Sequence, residues 1–297
     1  MIRQSSLYTT QEDYSLEYSV AGHGHGATIL VMHGGHSNSN EEFGYEELVG
    51  EGYQILTPSR PGYGRTSKEL GRNLSAACQA YIELLDFLSI EQVHVLSMSA
   101  GGPSGIVMAS EHPKRVRSLI LQSAITHEFL TPTDKAYKAS KIMFHPQVEK
   151  YLWSAVGGIG SLFPKYLFKR MASSFSKLGM DELLPQISNR DIQEFKKMIK
   201  RQRSGHGFLL DLTQTNVIDS DLMKIRCPAL ILHSVNDSTV PEKHAHFVHR
   251  HIENSELSLL DSWGHLIWIG EGSKEMYHIL LEFLDRHTLA PNTCPNS

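Results

Sequence analysis

Strand-like segments alternate with amphipathic helical segments along the 297-residue chain, which predicts an α/β fold, a mostly parallel central sheet flanked by helices. Two further observations shape that prediction. The alternation stops between residues 127 and 220, where helical periods run without a convincing buried strand, and this predicts an inserted helical cap. A serine at position 99 also stands where a strand gives way to a helix, a turn that suits a reactive side chain.

The first 20 residues read as two short strands. Residues 27–33 form a continuous apolar run ending in His33-Gly34-Gly35, the pattern of a strand buried on both faces and stopped by a glycine turn. A loop and short helix follow, then a strand over 53–58 closed by Arg60-Pro61-Gly62-Tyr63-Gly64, whose proline and glycines prevent helix continuation. Asn73 is placed to cap a helix reaching about Leu88, in which Ala77, Tyr81, Leu84, Leu85 and Leu88 recur at three- and four-residue steps and give one apolar face. Strand 92–97, helix 100–111 and strand 116–123 come next. After the insertion the pattern resumes with strand 228–234, helix 241–252, strand 255–261 and a closing amphipathic helix over 273–287. The expected organisation is a core domain from 1–126 and 221–290, a helical cap at 127–220 over the carboxyl ends of the strands, and a flexible tail at 291–297.

Composition narrows the partners. Lys plus Arg number 28 against 32 Asp plus Glu, a net charge of −4, which supplies no broad basic field for a nucleic-acid backbone and no polybasic membrane anchor. The longest apolar stretches are far short of the roughly 20 residues that cross a bilayer, and the first residues are polar where a secretory signal needs an apolar run. Three widely spaced cysteines fit neither a disulfide framework nor a paired zinc site, so cytoplasmic residence is expected. No dinucleotide-binding glycine pattern opens a strand-helix unit, and no cofactor is expected. The histidines of the 244–251 run point to different sides of a helix, so no metal site is expected there either.

The chemistry concentrates in Ser97-Met98-Ser99-Ala100-Gly101, a near match to a nucleophile elbow. Such a turn forces its serine into a strained conformation that lifts the hydroxyl clear of the sheet, and crowding demands small residues two positions either side. Gly101 meets this demand; Ser97 stands where the usual first glycine would be. The N–H of Ala100, at the start of a helix, would point at an oxyanion beside Ser99. A serine nucleophile needs a base and the base a carboxylate, both on loops leaving later strands. Asp237 follows the strand at 228–234 and His265 follows the strand at 255–261. Asp219 and Asp221 are less well placed as the acid, and Asp261 reads as a structural group at its strand end. Met98, Trp263, Trp268 and Phe43 are candidate pocket residues, with core packing the competing role. His33 is expected to order its loop rather than act as a base, and His94 and His233 to be satisfied core imidazoles.

On these motifs the chain resembles the α/β-hydrolase family over nearly all of residues 5–288, as a serine esterase-like member with a helical cap. His33-Gly34-Gly35 resembles the family's oxyanion loop, Arg60-Pro61-Gly62-Tyr63-Gly64 the loop after its fourth strand, and residues 97–102 its elbow. The resemblance implies a triad of Ser99, Asp237 and His265, with oxyanion donors Gly35 and Ala100 and with Gly34 as the alternative to Gly35. The expected activity is hydrolysis of a small or medium carboxylic ester through an acyl-enzyme. Carbon-carbon bond hydrolysis, lactonase or amidase chemistry on the same scaffold is the alternative, and Arg170, Arg190, Lys196 or Arg201 could serve a substrate carboxylate. A ligand-binding protein without turnover ranks lower, because Ser99, Asp237 and His265 are all retained.

Overall fold

The computed structural model describes residues 3–22, 26–215, 217 and 219–288, so the tail expected at 291–297 lies outside the described residues. Eight strands form one sheet: β1 (Ser6–Thr9), β2 (Ser15–Ala21), β3 (Thr28–Met32), β4 (Gln54–Pro58), β5 (Val93–Met98), β6 (Val116–Gln122), β7 (Ala229–Ser234) and β8 (Ser255–Leu260). Their spatial order is β1-β2-β4-β3-β5-β6-β7-β8, with β2 antiparallel to β1 and β4 and every other pair parallel.

The central strands alternate their side chains between two apolar layers, as a period of two requires. Leu30, Met32, Val93, Val95, Leu119 and Leu121 point to one layer, which α2 (Leu74–Phe87), α3 (Gly102–Glu111) and α11 (Lys243–His251) cover. Ile29, Val31, Leu96, Met98 and Ile120 point to the other, covered by α1 (Tyr45–Gly50) and α12 (Ser273–Thr288). Each fully buried Leu or Ile contributes roughly 1.5–3 kcal/mol, so this double burial explains why the apolar runs are continuous rather than alternating. Asn73 caps α2 as expected, its side chain accepting from Ala76 N–H at 2.8 Å.

Between β6 and β7 the described residues form helices and no named strand: α4 (Lys135–Met143), α5 (Glu149–Leu162), α6 (Pro164–Met171), α7 (Met180–Leu183), α8 (Asn189–Arg201), α9 (Gly207–Thr213) and α10 (Asp219–Leu222), with short 3-10 turns after α6 and α7. Helices α5, α6 and α8 enclose their own apolar centre. Gly160 lets α5 approach Leu167 and Ile199, and Phe168 meets Phe195 edge-on at 5.2 Å. That centre is continuous with one sheet layer through Phe168 and Trp263, whose rings are 5.4 Å apart. Val217 and Leu222 pack in the opposite layer.

Chain order places the site. From β3 the chain steps to β4 on one side and then to β5 on the other, so the carboxyl ends of β3 and β5 lie together at a point where the winding reverses. Open α/β sheets bind their ligands at such a crevice.

Candidate active site

The turn after β5 is strained at the expected residue. Ser99 has φ 48°, in the left-handed region that a side chain rarely adopts, and a short 3-10 turn carries it into α3. Close packing makes this possible at three positions. A Cβ on Gly101 would run into the carbonyl oxygen of Met32, so glycine there admits the turn against β3. Gly102 likewise sits against the Ile125 carbonyl. The extra side chain of Ser97 is housed by Gly105 of α3, where a Cβ would overlap the Ser97 hydroxyl. Ser97 Oγ is buried there without a hydrogen-bond partner among the described residues.

Three side chains from three strand ends meet at this turn. His265 Nε2 lies 3.0 Å from Ser99 Oγ, and His265 Nδ1 lies 2.7 Å from Asp237 Oδ2. Asp237 is fully buried, and its other oxygen accepts the N–H groups of Thr239 at 2.7 Å and Val240 at 2.9 Å. Those bonds hold the carboxylate with Oδ2 aimed at the imidazole. They also fix the tautomer: Nδ1 carries the proton toward Asp237, and Nε2 is left to accept from the serine. His233 backs the same carboxylate. Its Nε2–H donates to the Val240 carbonyl at 3.0 Å and lies 3.5 Å from Asp237 Oδ2, and burial holds its pKa below the usual imidazole range. Asp261, set aside as structural, accepts from Asn236 Nδ2 at 3.3 Å and so steadies the loop that carries Asp237.

The loop after β3 closes the opposite side. A Cβ on Gly34 would meet Ser99 Cβ at 3.4 Å, and one on Gly35 would meet Ala100 Cβ at 3.7 Å, so both glycines lie against the serine turn. His33 orders this loop with both ring nitrogens: Nδ1–H donates to the Gly34 carbonyl at 2.7 Å and Nε2 accepts Arg60 N–H at 2.9 Å. Full burial and the nearby Arg60 charge keep His33 neutral, with a pKa well below the usual range.

Met98 and Trp263, expected beside the substrate, are placed in the core beneath the site. Met98 is buried in the sheet layer, and Trp263 is fully buried with its indole N–H donating to the Ile269 carbonyl at 2.9 Å. Trp268 stacks on Phe43 at 5.3 Å and donates to Gln122 Oε1, which makes both packing residues as well. Sequence reasoning missed the groups that the inserted helices contribute. Phe175 lies nearly parallel to the His265 ring at 6.5 Å, and its carbonyl accepts His265 N–H at 2.8 Å, an approach that Gly264 allows. His36 stacks on Phe208 at 4.1 Å and bonds Ser204 Oγ, to which Trp153 also donates. Burial there pushes the His36 pKa down to about 3. Asp211 of α9 pairs with buried Arg60, whose Nε holds the His33 carbonyl at 2.8 Å. Nothing in the sequence distinguishes Asp211 from a solvated helix carboxylate.

Of the cations that could greet a substrate carboxylate, Arg201 is engaged by Glu41 and Glu42 and Arg190 by Glu46, while Arg170 is exposed. The four histidines of α11 are engaged separately: His244 with the Thr126 N–H, His246 with Glu242, His249 with Ser255 and His251 with the Phe247 carbonyl. Among the described residues no group of three or more His, Cys, Asp or Glu side chains is arranged to hold a metal ion.

A protein-family model described as alpha/beta hydrolase fold matches residues 27–271. The chain belongs to the α/β-hydrolase fold family. This α/β hydrolase is 53% identical over 272 residues to the "Uncharacterized hydrolase YcgS" of Bacillus subtilis (strain 168), covering 91% of this chain and 95% of that protein. It is 24% identical to the "2-hydroxy-6-oxononadienedioate/2-hydroxy-6-oxononatrienedioate hydrolase" of Cupriavidus pinatubonensis (strain JMP 134 / LMG 1197), covering 94% of this chain and 95% of the other. Among solved structures, the "Alpha/beta hydrolase fold protein from Nakamurella multipartita" superposes with a TM-score of 0.78 at 25% identity, covering 95% of this hydrolase and 99% of that chain. The family and the relatives' names make the chain a hydrolase. Among the described residues no helix is long and apolar enough to cross a membrane.

Proposed function

We propose that this hydrolase cleaves a carboxylic ester of a small or medium acyl chain through an acyl-enzyme on Ser99. The observation that carries the reading is the relay Ser99–His265–Asp237, with contacts of 3.0 and 2.7 Å, built on a serine at φ 48°. Ser99 Oγ attacks the acyl carbonyl carbon as its proton passes to His265 Nε2, and the carbonyl π pair moves onto oxygen. The N–H groups of Gly35, or Gly34, and Ala100 receive that oxyanion at the start of α3, where the helix dipole adds to their effect. Collapse breaks the bond to the alcohol oxygen, which leaves with the proton from His265. Water then gives a proton to the same nitrogen as its oxygen attacks the acyl carbon, and the second oxyanion collapses by breaking the bond to Ser99 Oγ, which takes the proton back from His265 as the acid leaves. Asp237 stays ionised and stabilises the imidazolium formed at each step.

The helices from residue 127 to 220 act as a cap that shapes the acyl pocket, with Phe175 facing the His265 ring and Phe208 lying against Gly35. A serine rather than a carboxylate at position 99 favours carbonyl substrates over haloalkanes and epoxides. A second reading, hydrolysis of a carbon-carbon bond, is favoured by the Cupriavidus relative, named for the hydrolysis of a 2-hydroxy-6-oxo dienedioate. Engagement of Arg190 and Arg201 by glutamates leaves fewer cations for the two carboxylates of such a substrate, which favours the ester. Hydrolysis of p-nitrophenyl esters from acetate to laurate tests the proposal. The parent turns them over, and Ser99→Ala loses roughly 10⁶-fold of the enzymatic rate. No turnover of any ester by folded parent protein would move the carbon-carbon reading to the front.

A further inference from the structure

Helix α5 is apolar on both sides, and only one of them is covered. Its inner side carries Trp153, Val156 and Gly160, packed toward the rest of the insertion. At 3.6 residues per turn, Val148, Tyr151, Ile159 and Leu162 fall within an arc of about 80° on the opposite side. All four are exposed, Tyr151 at 68% and Leu162 at 74%. Phe163 and Tyr166 continue the surface into α6. Eight of the thirteen exposed large apolar side chains among the described residues lie between residues 142 and 166. A contiguous exposed apolar face of this kind is uncommon on a monomer's surface and calls for a covering phase.

Charge says which phase. Residues 135–170 hold seven Lys and Arg side chains, all exposed, and one acid, Glu149. Glu149 is buried and occupied by the Ser204 N–H at 2.9 Å, so the segment shows no outward negative charge. Its net of +6 sits in a chain whose total is −4, which the whole-chain balance conceals. Aromatic and cationic groups are interleaved. The Lys150 ammonium lies 5.0 Å from the Tyr151 ring, and Tyr166 and Arg170 share a face of α6. A second copy seated on this surface would oppose cation to cation across a two-fold axis, which disfavours self-association. At 14 residues α5 is too short to cross a bilayer, but an apolar face with basic flanks suits a helix lying in the plane of an anionic lipid surface.

We propose that the outward face of α5, with the start of α6 and its basic flanks, docks this protein on an anionic lipid surface. Apolar side chains enter the acyl region and the lysines reach the lipid headgroups. The surface sits behind Trp153, which through Ser204 and His36 touches the loop carrying Gly35.

Co-sedimentation of the full chain with phosphatidylglycerol-containing and pure phosphatidylcholine vesicles tests this without reference to catalysis. Binding is expected to the anionic vesicles, to weaken as salt is raised, and to be far weaker on phosphatidylcholine. Leu162→Gln and Phe163→Gln should each weaken it about tenfold or more, and Lys150→Gln and Lys165→Gln about fivefold each, with thermal midpoints unchanged. Absence of binding to anionic vesicles overturns the proposal, as does binding that the Leu162 and Phe163 variants leave intact. A dimer in gel filtration that Leu162→Gln disperses would assign the face to a second copy and overturn it equally.

Discussion

Removing the carboxylate of Asp211 should destabilise the protein far more than removing an ordinary surface acid. Arg60 is 3% exposed, and its guanidinium is held by both Asp211 oxygens, with Nη2 to Oδ2 at 2.8 Å. Tyr63 donates to the same carboxylate at 2.5 Å. Asp211→Ala leaves a buried cation unpaired, a change that costs about 3–5 kcal/mol. At about 2.1 cal/mol/K of unfolding entropy per residue over 297 residues, that is roughly 5–8 °C of melting temperature. Replacing both partners by apolar residues of similar volume, as in Arg60→Met with Asp211→Leu, removes the unpaired charge and should recover much of the loss. Scanning calorimetry on the two single variants and the double variant measures this directly. The same guanidinium holds the carbonyls of His33 and Gly34, at 2.8 and 3.4 Å, so ester turnover should fall in kcat more than KM rises in Asp211→Ala. A melting temperature for Asp211→Ala within about 1 °C of the parent would refute the reasoning, since it would mean that Arg60 is not held buried by this partner.

Ser97→Ala keeps the Cβ that Gly105 accommodates and deletes a buried hydroxyl without a partner, so stability should rise by about 1 kcal/mol, read from urea unfolding with ester turnover unchanged. Acid sensitivity follows from burial: His36, His94 and His244 have pKa values pushed down to about 3 from 6.5, chiefly by desolvation. Below pH 6.5 the unfolded chain binds these protons and the folded chain does not, so their contribution is complete above pH 6.5 and is lost as pH falls toward 3. With up to about 1.4 kcal/mol per pH unit from each group, a His94→Gln variant should show a visibly shallower decline in unfolding free energy between pH 6 and 4.

The sheet was readable because doubly buried strands leave uninterrupted apolar runs. The run at 27–33 contains β3 at Thr28–Met32, and the run at 228–234 contains β7 at Ala229–Ser234. Asp237 was readable for a related reason, since it directly follows such a run; β8 is polar at Ser255, Glu256 and Ser258 and only partly buried, so His265 was read from its place after the last strand, where chain order delivers it to the same edge of the sheet. The inserted helices resisted because their partners are set by packing between helices and not by period. Phe175 reaches His265 from the end of a 3-10 turn, and Asp211 on a seven-residue helix has the local pattern of any exposed acid. Met98 and Trp263 take the competing role, core packing. Their proximity in sequence to Ser99 and His265 suggested a pocket, but strand alternation turns Met98 into the sheet layer, and Trp263 is sealed against Phe168.

The most direct measurement is intact-mass and peptide analysis after exposure to a fluorophosphonate, which phosphonylates only an activated serine. A single adduct on the peptide containing Ser99, absent in Ser99→Ala and formed at least about 10³-fold more slowly in His265→Ala, is the predicted result. An unmodified Ser99 in folded protein, or an adduct formed equally fast without His265, would contradict the claim that the Ser99–His265–Asp237 relay activates a nucleophile.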